Sequence, residues 1–161
     1  MRALIRQPEE ILAYRPLKLI LKAKSQVLWS VGSQDDVAMA VRLMAEKDIG
    51  CVVVVDDGKL VGIVSERDCV RRTVLTGKSA ETTPVSKIMV PDVITAELHQ
   101  TFAECLKLMH HHRIRHLPIV DAGKPITVLS IRDLLGEAVS HHAKIIAELE
   151  RERLTVFMST A

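Results

Sequence analysis

Along this chain, hydrophobic and polar positions alternate in two different periods. Val37, Ala40, Val41 and Met44 recur at the spacing of one helix face, and Ser33-Gln34-Asp35-Asp36 just before them offers good caps. Cys51-Val52-Val53-Val54-Val55 is instead a continuous, largely β-branched run bounded by turn residues, which predicts a buried strand. Asp56-Asp57-Gly58-Lys59 then reads as a tight hairpin, with glycine supplying the positive φ such turns need, and Leu60 to Val64 as its return strand. That strand ends on Ser65-Glu66-Arg67-Asp68, where helical composition begins and continues through Val70 to about Leu75. A short strand closing at Ser30-Val31 precedes the set, so the stretch predicts β-α-β-β-α.

The same pattern returns after 65 positions, the distance from Asp68 to Asp133. Without a gap, Ala38 falls on Ala103, Leu43-Met44 on Leu108-Met109, Ile49 on Ile114, Val55-Asp56 on Val120-Asp121, and Gly58-Lys59 on Gly123-Lys124. Ser65, Arg67 and Asp68 fall on Ser130, Arg132 and Asp133. Identities at hairpin, core and strand-to-helix junction together indicate a duplication. The chain divides into a lead-in at 1–24, repeats at 25–80 and 81–139, and a C-terminal helix at 140–161. Gly77, Ser79, Thr82, Thr83 and Pro84 mark a polar linker between the repeats. Leu17, Ile20 and Leu21 predict a short helix in the basic lead-in, and Val139, Ile145, Ile146, Leu149 and Leu154 a longer one at the end.

The repeated phrase has two readings that stand side by side. Ser-x-x-Asp ahead of a helix is a capping box, in which serine caps the third helical N–H and the acid reaches back. A strand-to-helix turn is also where unpaired N–H groups and the helix dipole favour an anion, and the phrase adds a hydroxyl, a guanidinium and a carboxylate.

Composition narrows the function classes. The 161 residues are 48% hydrophobic, enough for a real core. With 22 basic and 20 acidic residues there is no broad field to attract nucleic acid, and aromatics at 2% make a poor base-stacking platform. Cys51, Cys69 and Cys105 are odd in number and widely spaced, which argues against a disulfide framework or a zinc site and suits a reducing cytoplasm. Charges interrupt every apolar stretch, so no membrane span is expected, and Arg2 and Arg6 precede no signal-type apolar region. His110-His111-His112 cannot aim three rings at one ion from a helix, so they read as a solvated helix end, as do His141 and His142, and no metal is expected. No activated nucleophile, acid/base pair or Walker-type loop accompanies the phrases; a sensor is expected rather than an enzyme.

Gly62-Ile63-Val64-Ser65-Glu66-Arg67-Asp68 resembles the G-h-x-[ST]-x-x-D motif of the CBS domain, and Arg115-His116-Leu117-Pro118-Ile119-Val120-Asp121 resembles that family's second-strand pattern. In the second repeat Thr127 replaces the motif glycine; in the first, Gly50 to Asp56 lacks the proline. The pair is similar to a Bateman module, and the short layout to small stand-alone bacterial signal-transduction CBS proteins. The resemblance implies an α/β (α+β) fold of two repeats packed about a pseudo-twofold axis, commonly as a homodimer that acts on an effector protein.

It also implies an adenosine ligand: AMP, ADP, ATP, NAD or, alternatively, S-adenosylmethionine. Asp68 and Asp133 would hold the ribose hydroxyls, Ser65 and Ser130 would bond phosphate or ribose, and Arg67 and Arg132 would lie near phosphate. With no aromatic expected nearby, adenine would lie among Val27, Ser30, Cys51, Val52 and Val53 in a first cleft, and among Val93, Thr95, His116, Leu117 and Pro118 in a second. The rival expectation is an interaction module whose sites have decayed, suggested by the loss of glycine at Thr127.

Overall fold

The computed structural model describes Tyr14, residues 16–22 and residues 27–159. Calls on the rest of the lead-in, including Arg2, Arg6, Arg15 and Lys24, lie outside the described residues. The elements run α1 (Leu17–Lys22), β1 (Ser30–Val31), α2 (Val37–Lys47), β2 (Cys51–Asp56), β3 (Lys59–Ser65) and α3 (Glu66–Arg72), followed by two single 3-10 turns, Val74–Thr76 and Val85–Lys87. The second half gives β4 (Ala96–Glu97), α4 (Phe102–His112), β5 (His116–Asp121), β6 (Lys124–Ser130) and α5 (Ile131–Ser159).

Each half builds one three-stranded sheet, ordered β1-β2-β3 and β4-β5-β6. In both, the short first strand runs parallel to the second, and the hairpin partner is antiparallel. The duplication is exact in backbone detail: the register slips between Val54 and Val55 in one sheet and between Ile119 and Val120 in the other. The hairpin turns take positive φ at Asp57 and Gly58, and at Ala122 and Gly123, the two-residue geometry that matches strand twist. Both first helices end on a left-handed residue, Asp48 and Arg113.

Two differences from the sequence expectation matter. The helix after the first phrase stops at Arg72 and gives way to the Val74–Thr76 turn, with the Thr73 hydroxyl bonding back to the Cys69 carbonyl. After the second phrase the repeat helix and the C-terminal helix are one, so α5 runs without a break across 139 and 140.

The core is divided between the repeats in an exchanged manner. α1 precedes the first repeat, yet Leu17, Ile20 and Leu21 are buried with Ala96, Phe102, Leu117 and Leu129 of the second. Val85 and Ile88 stand at the start of the second repeat, ahead of its first strand, yet they are buried with Val37, Met44, Val52 and Val64 of the first. Val85 stands 65 positions after Ile20, so the exchange obeys the same repeat. The sheets meet where β3 approaches β6, which brings both strand-to-helix junctions to one side of the molecule.

Candidate functional site

Each phrase forms a capping box. The Ser65 hydroxyl accepts from Asp68 N–H at 3.3 Å, while Asp68 Oδ2 accepts from Ser65 N–H at 3.0 Å. In the second repeat the Ser130 hydroxyl accepts from Asp133 N–H at 3.2 Å, and Asp133 Oδ2 accepts the Ser130 N–H and hydroxyl, both at 2.7 Å. The boxes employ Oδ2 of each carboxylate. Each box is also tied to its own strand: Gly50 O accepts from Glu66 N–H at 3.2 Å, and Arg115 O from Ile131 N–H at 2.8 Å.

The boxes open into a single cleft of about 690 Å³, within the usual range for small-molecule sites. Of the residues picked out by sequence, it brings together Val27, Cys51, Ser65, Arg67, Asp68, His116, Ser130, Arg132 and Asp133. Expected separate first and second clefts are thus continuous at this face. Ser30, Val52, Val53, Val93, Thr95, Leu117 and Pro118 do not line it. Val52, Val53, Leu117 and Pro118 are buried in their strands, Ser30 is exposed at the start of β1, and Val93 and Thr95 lie ahead of β4.

Lining residues that sequence reasoning missed include Trp29, Lys47, Asp48, Gly50, Glu66, Ile114 and Arg115. Trp29 corrects the expectation that no aromatic would be near, and Lys47 Nζ sits 4.6 Å from its ring centroid as a cation–π contact. Arg115 was within reach of the internal alignment, which sets it opposite Gly50. The pairing has a steric sense: a Cβ on Gly50 would stand 3.3 Å from His116 Nε2 and 3.9 Å from Glu66 Oε2. Glycine there leaves room for the imidazole of the other repeat. Gly50 and His116 are therefore the seam between the halves.

Four side-chain cations suited to phosphate, Lys47, Arg67, Arg115 and Arg132, line the cleft. Beneath the first box, burial pushes the Cys69 thiol up to about 11, with Asp68 acting in the same direction, so it stays protonated and inert. Among the described residues no cluster of His, Cys, Asp or Glu is arranged to hold a metal ion.

Paired β-α-β-β-α units that share one cleft between capped helix starts define a tandem ligand-cleft module. The chain belongs to the CBS domain family, whose model matches residues 25–74 and 85–140. It is similar to a solved protein with CBS domains from Burkholderia ambifaria MC40-6, 43% identical with a TM-score of 0.74, covering 76% of this chain and 93% of that one. A CBS domain-containing protein of Bacillus subtilis, YhcV, is 29% identical over 71% of this chain and 81% of its own length. A CBS domain protein from Pyrobaculum aerophilum, complexed with AMP, shares the fold at 24% identity and a TM-score of 0.67, over 78% of this chain and 99% of that one.

Proposed function

We propose that this chain is a regulatory sensor of adenine nucleotides, binding AMP, ADP, ATP or NAD in the cleft between its repeats and signalling through a change of conformation or association. One observation carries this: both Ser-x-Arg-Asp phrases line the same cleft, each with a carboxylate suited to a ribose diol and a guanidinium suited to phosphate. Trp29 offers a face for a base, and the fold is one in which the Pyrobaculum protein holds AMP. S-adenosylmethionine is the alternative ligand, since its adenosine would use the same carboxylates.

The test is a calorimetry and thermal-shift panel of AMP, ADP, ATP, NAD and S-adenosylmethionine. A true ligand at about 100 times its Kd stabilises the native state by roughly 2.7 kcal/mol. No response from any of them would sink the proposal, and turnover of any of them would replace a sensor with an enzyme.

The interaction-module alternative drew support from the missing glycine at Thr127; Gly62 packs against the Met89 side chain, which gives the first repeat a reason for glycine independent of any ligand. We place the protein in a reducing cytoplasm, consistent with Cys51, Cys69 and Cys105 being free and buried, and with the absence, among the described residues, of a helix long and apolar enough to cross a membrane.

Two copies are proposed to pair. Six of the exposed apolar residues pair across the repeat: Val41 with Leu106, Val70 with Leu135, and Val74 with Val139. A surface duplicated in this way suits a self-complementary partner. Native mass spectrometry should return a dimer, and Val70→Asp with Leu135→Asp should return a monomer of unchanged fold. The effector that would read the change is a further protein.

A further inference from the structure

The two repeats differ in the helix that follows each phrase. α3 stops after 7 residues, whereas α5 runs for 29, about 43 Å at the usual helical rise. A helix draws most of its stability from packing, yet between Val139 and Met158 this one is covered along a single edge. His141, Ile145 and Glu148 are half-buried there, and the Tyr14 ring meets the His141 ring with centroids 4.6 Å apart. About a third of a turn round the helix, Leu135, Val139, Ile146 and Leu149 are each more than half exposed. Their spacing is the a and d series of a heptad, Val139 and Ile146 at a, Leu135 and Leu149 at d. His142 fills the intervening d position, and the series continues through Arg153 to Val156.

We infer that α5 pairs with α5 of a second copy of this chain as a parallel two-stranded coiled coil, in which Leu135, Val139, Ile146 and Leu149 each face their own counterparts. The inference rests on the pairing of two copies proposed above and names the element that directs it. Valine and isoleucine at a with leucine at d is the combination that favours two parallel strands. Charge agrees with that orientation. Arg153 stands at an a position directly after Glu152 at g, so in a parallel pair Glu152 of the second copy flanks Arg153, and one charged a position sets the register. An antiparallel pair that kept Ile146 against Leu149 would set Arg153 against His142, joining two basic groups. The stripe is also continuous with the surface duplicated between the repeats, because Leu135 and Val139 belong to both. It spans about three heptads, the short end for a coiled coil, and two polar layers weaken it further. Such a pair holds an association equilibrium within reach of a modest signal.

The experiment combines analytical ultracentrifugation of the full chain with disulfide trapping. Ile146→Asp together with Leu149→Asp, both at exposed positions, should raise the dimer dissociation constant at least tenfold. Oxidised Leu149→Cys should give a covalent dimer, whereas Arg151→Cys, on the opposite side of the helix, should not; Cys51, Cys69 and Cys105 are buried and leave the background low. Failure of either result overturns the inference, and if the parent protein is still a dimer, pairing through the repeats stands. A cross-link that forms only when Ile146→Cys and Leu149→Cys chains are mixed means antiparallel helices and also overturns it. A monomeric parent protein overturns this inference and the pairing proposal together.

Discussion

Met89 lies directly against Gly62: a Cβ on that glycine would stand 2.5 Å from the Met89 sulfur, 3.0 Å from its Cγ and 3.2 Å from its Cβ. The contact arises because the segment after the Val85–Lys87 turn pairs with β3, Ile63 and Val90 exchanging backbone hydrogen bonds of 3.1 and 2.9 Å. The motif glycine is thus needed where a strand-like segment crosses it, and the buried Thr127 occupies the same place in the second repeat. Gly62→Ala should destabilise the protein by about 1–3 kcal/mol through overpacking, read as a lower urea midpoint with an unchanged slope. Adding Met89→Ala should recover part of the loss; strict additivity of the two changes would refute the contact's role.

Asp133→Asn separates the cap from the ligand. The amide keeps one acceptor oxygen, so the thermal midpoint should hold within a few degrees. Loss of a charged acceptor to a ribose hydroxyl should cost about 1.5–3 kcal/mol in AMP affinity, roughly 10- to 150-fold. Unchanged affinity and stoichiometry would remove Asp133 from the site.

Leu17→Ala or Leu21→Ala empties a position in the second repeat's core, since both side chains are 1% exposed there. A cost of about 2–5 kcal/mol is expected. Hydrogen exchange should show the loss first in β5 and β6, although β2 and β3 follow α1 more closely in sequence. Equal loss in both sheets would argue against the exchanged core.

The buried thiols predict a pH profile. Burial raises Cys69 and Cys105 from an ordinary 9.0 to about 11, aided by Asp68 and Glu66 in the first case and Glu104 in the second. A group raised on folding contributes its stability below the unfolded value, and loses it as pH climbs through the folded one. Unfolding free energy should therefore fall between pH about 9 and about 11, and less steeply in Cys69→Ala and Cys105→Ala. A flat profile in the parent protein would contradict the assignment.

Much of the fold was legible because its signals are local. The β-branched run from Cys51 to Val55 has one stable use, Gly58 and Gly123 mark turns that require positive φ, and the ungapped repeat transfers each assignment to the other half. The site was legible only in part. An apolar run carries no sign of which face meets a cleft, so Val52, Val53, Leu117 and Pro118 were expected in it and are instead packed inside. Trp29 stands just ahead of β1, packed against the first half's core and beside Lys47, where no periodic pattern marks it. The reach of α1 into the second core was equally invisible: the spacing of Leu17, Ile20 and Leu21 shows a buried face but not the surface that buries it.

That exchange is a domain swap performed within one polypeptide. Val85 and Ile88 leave with the second half if the chain is cut between the repeats, and the first half would then keep an open wound in its core. Each half carries the plug for its neighbour, so a single repeat with its leading segment can be closed only by another copy doing the same. Fusing two such copies head to tail fixes the partner and its stoichiometry in the gene. The exchanged plugs also tie the two cores together, so the two halves are expected to melt as one unit.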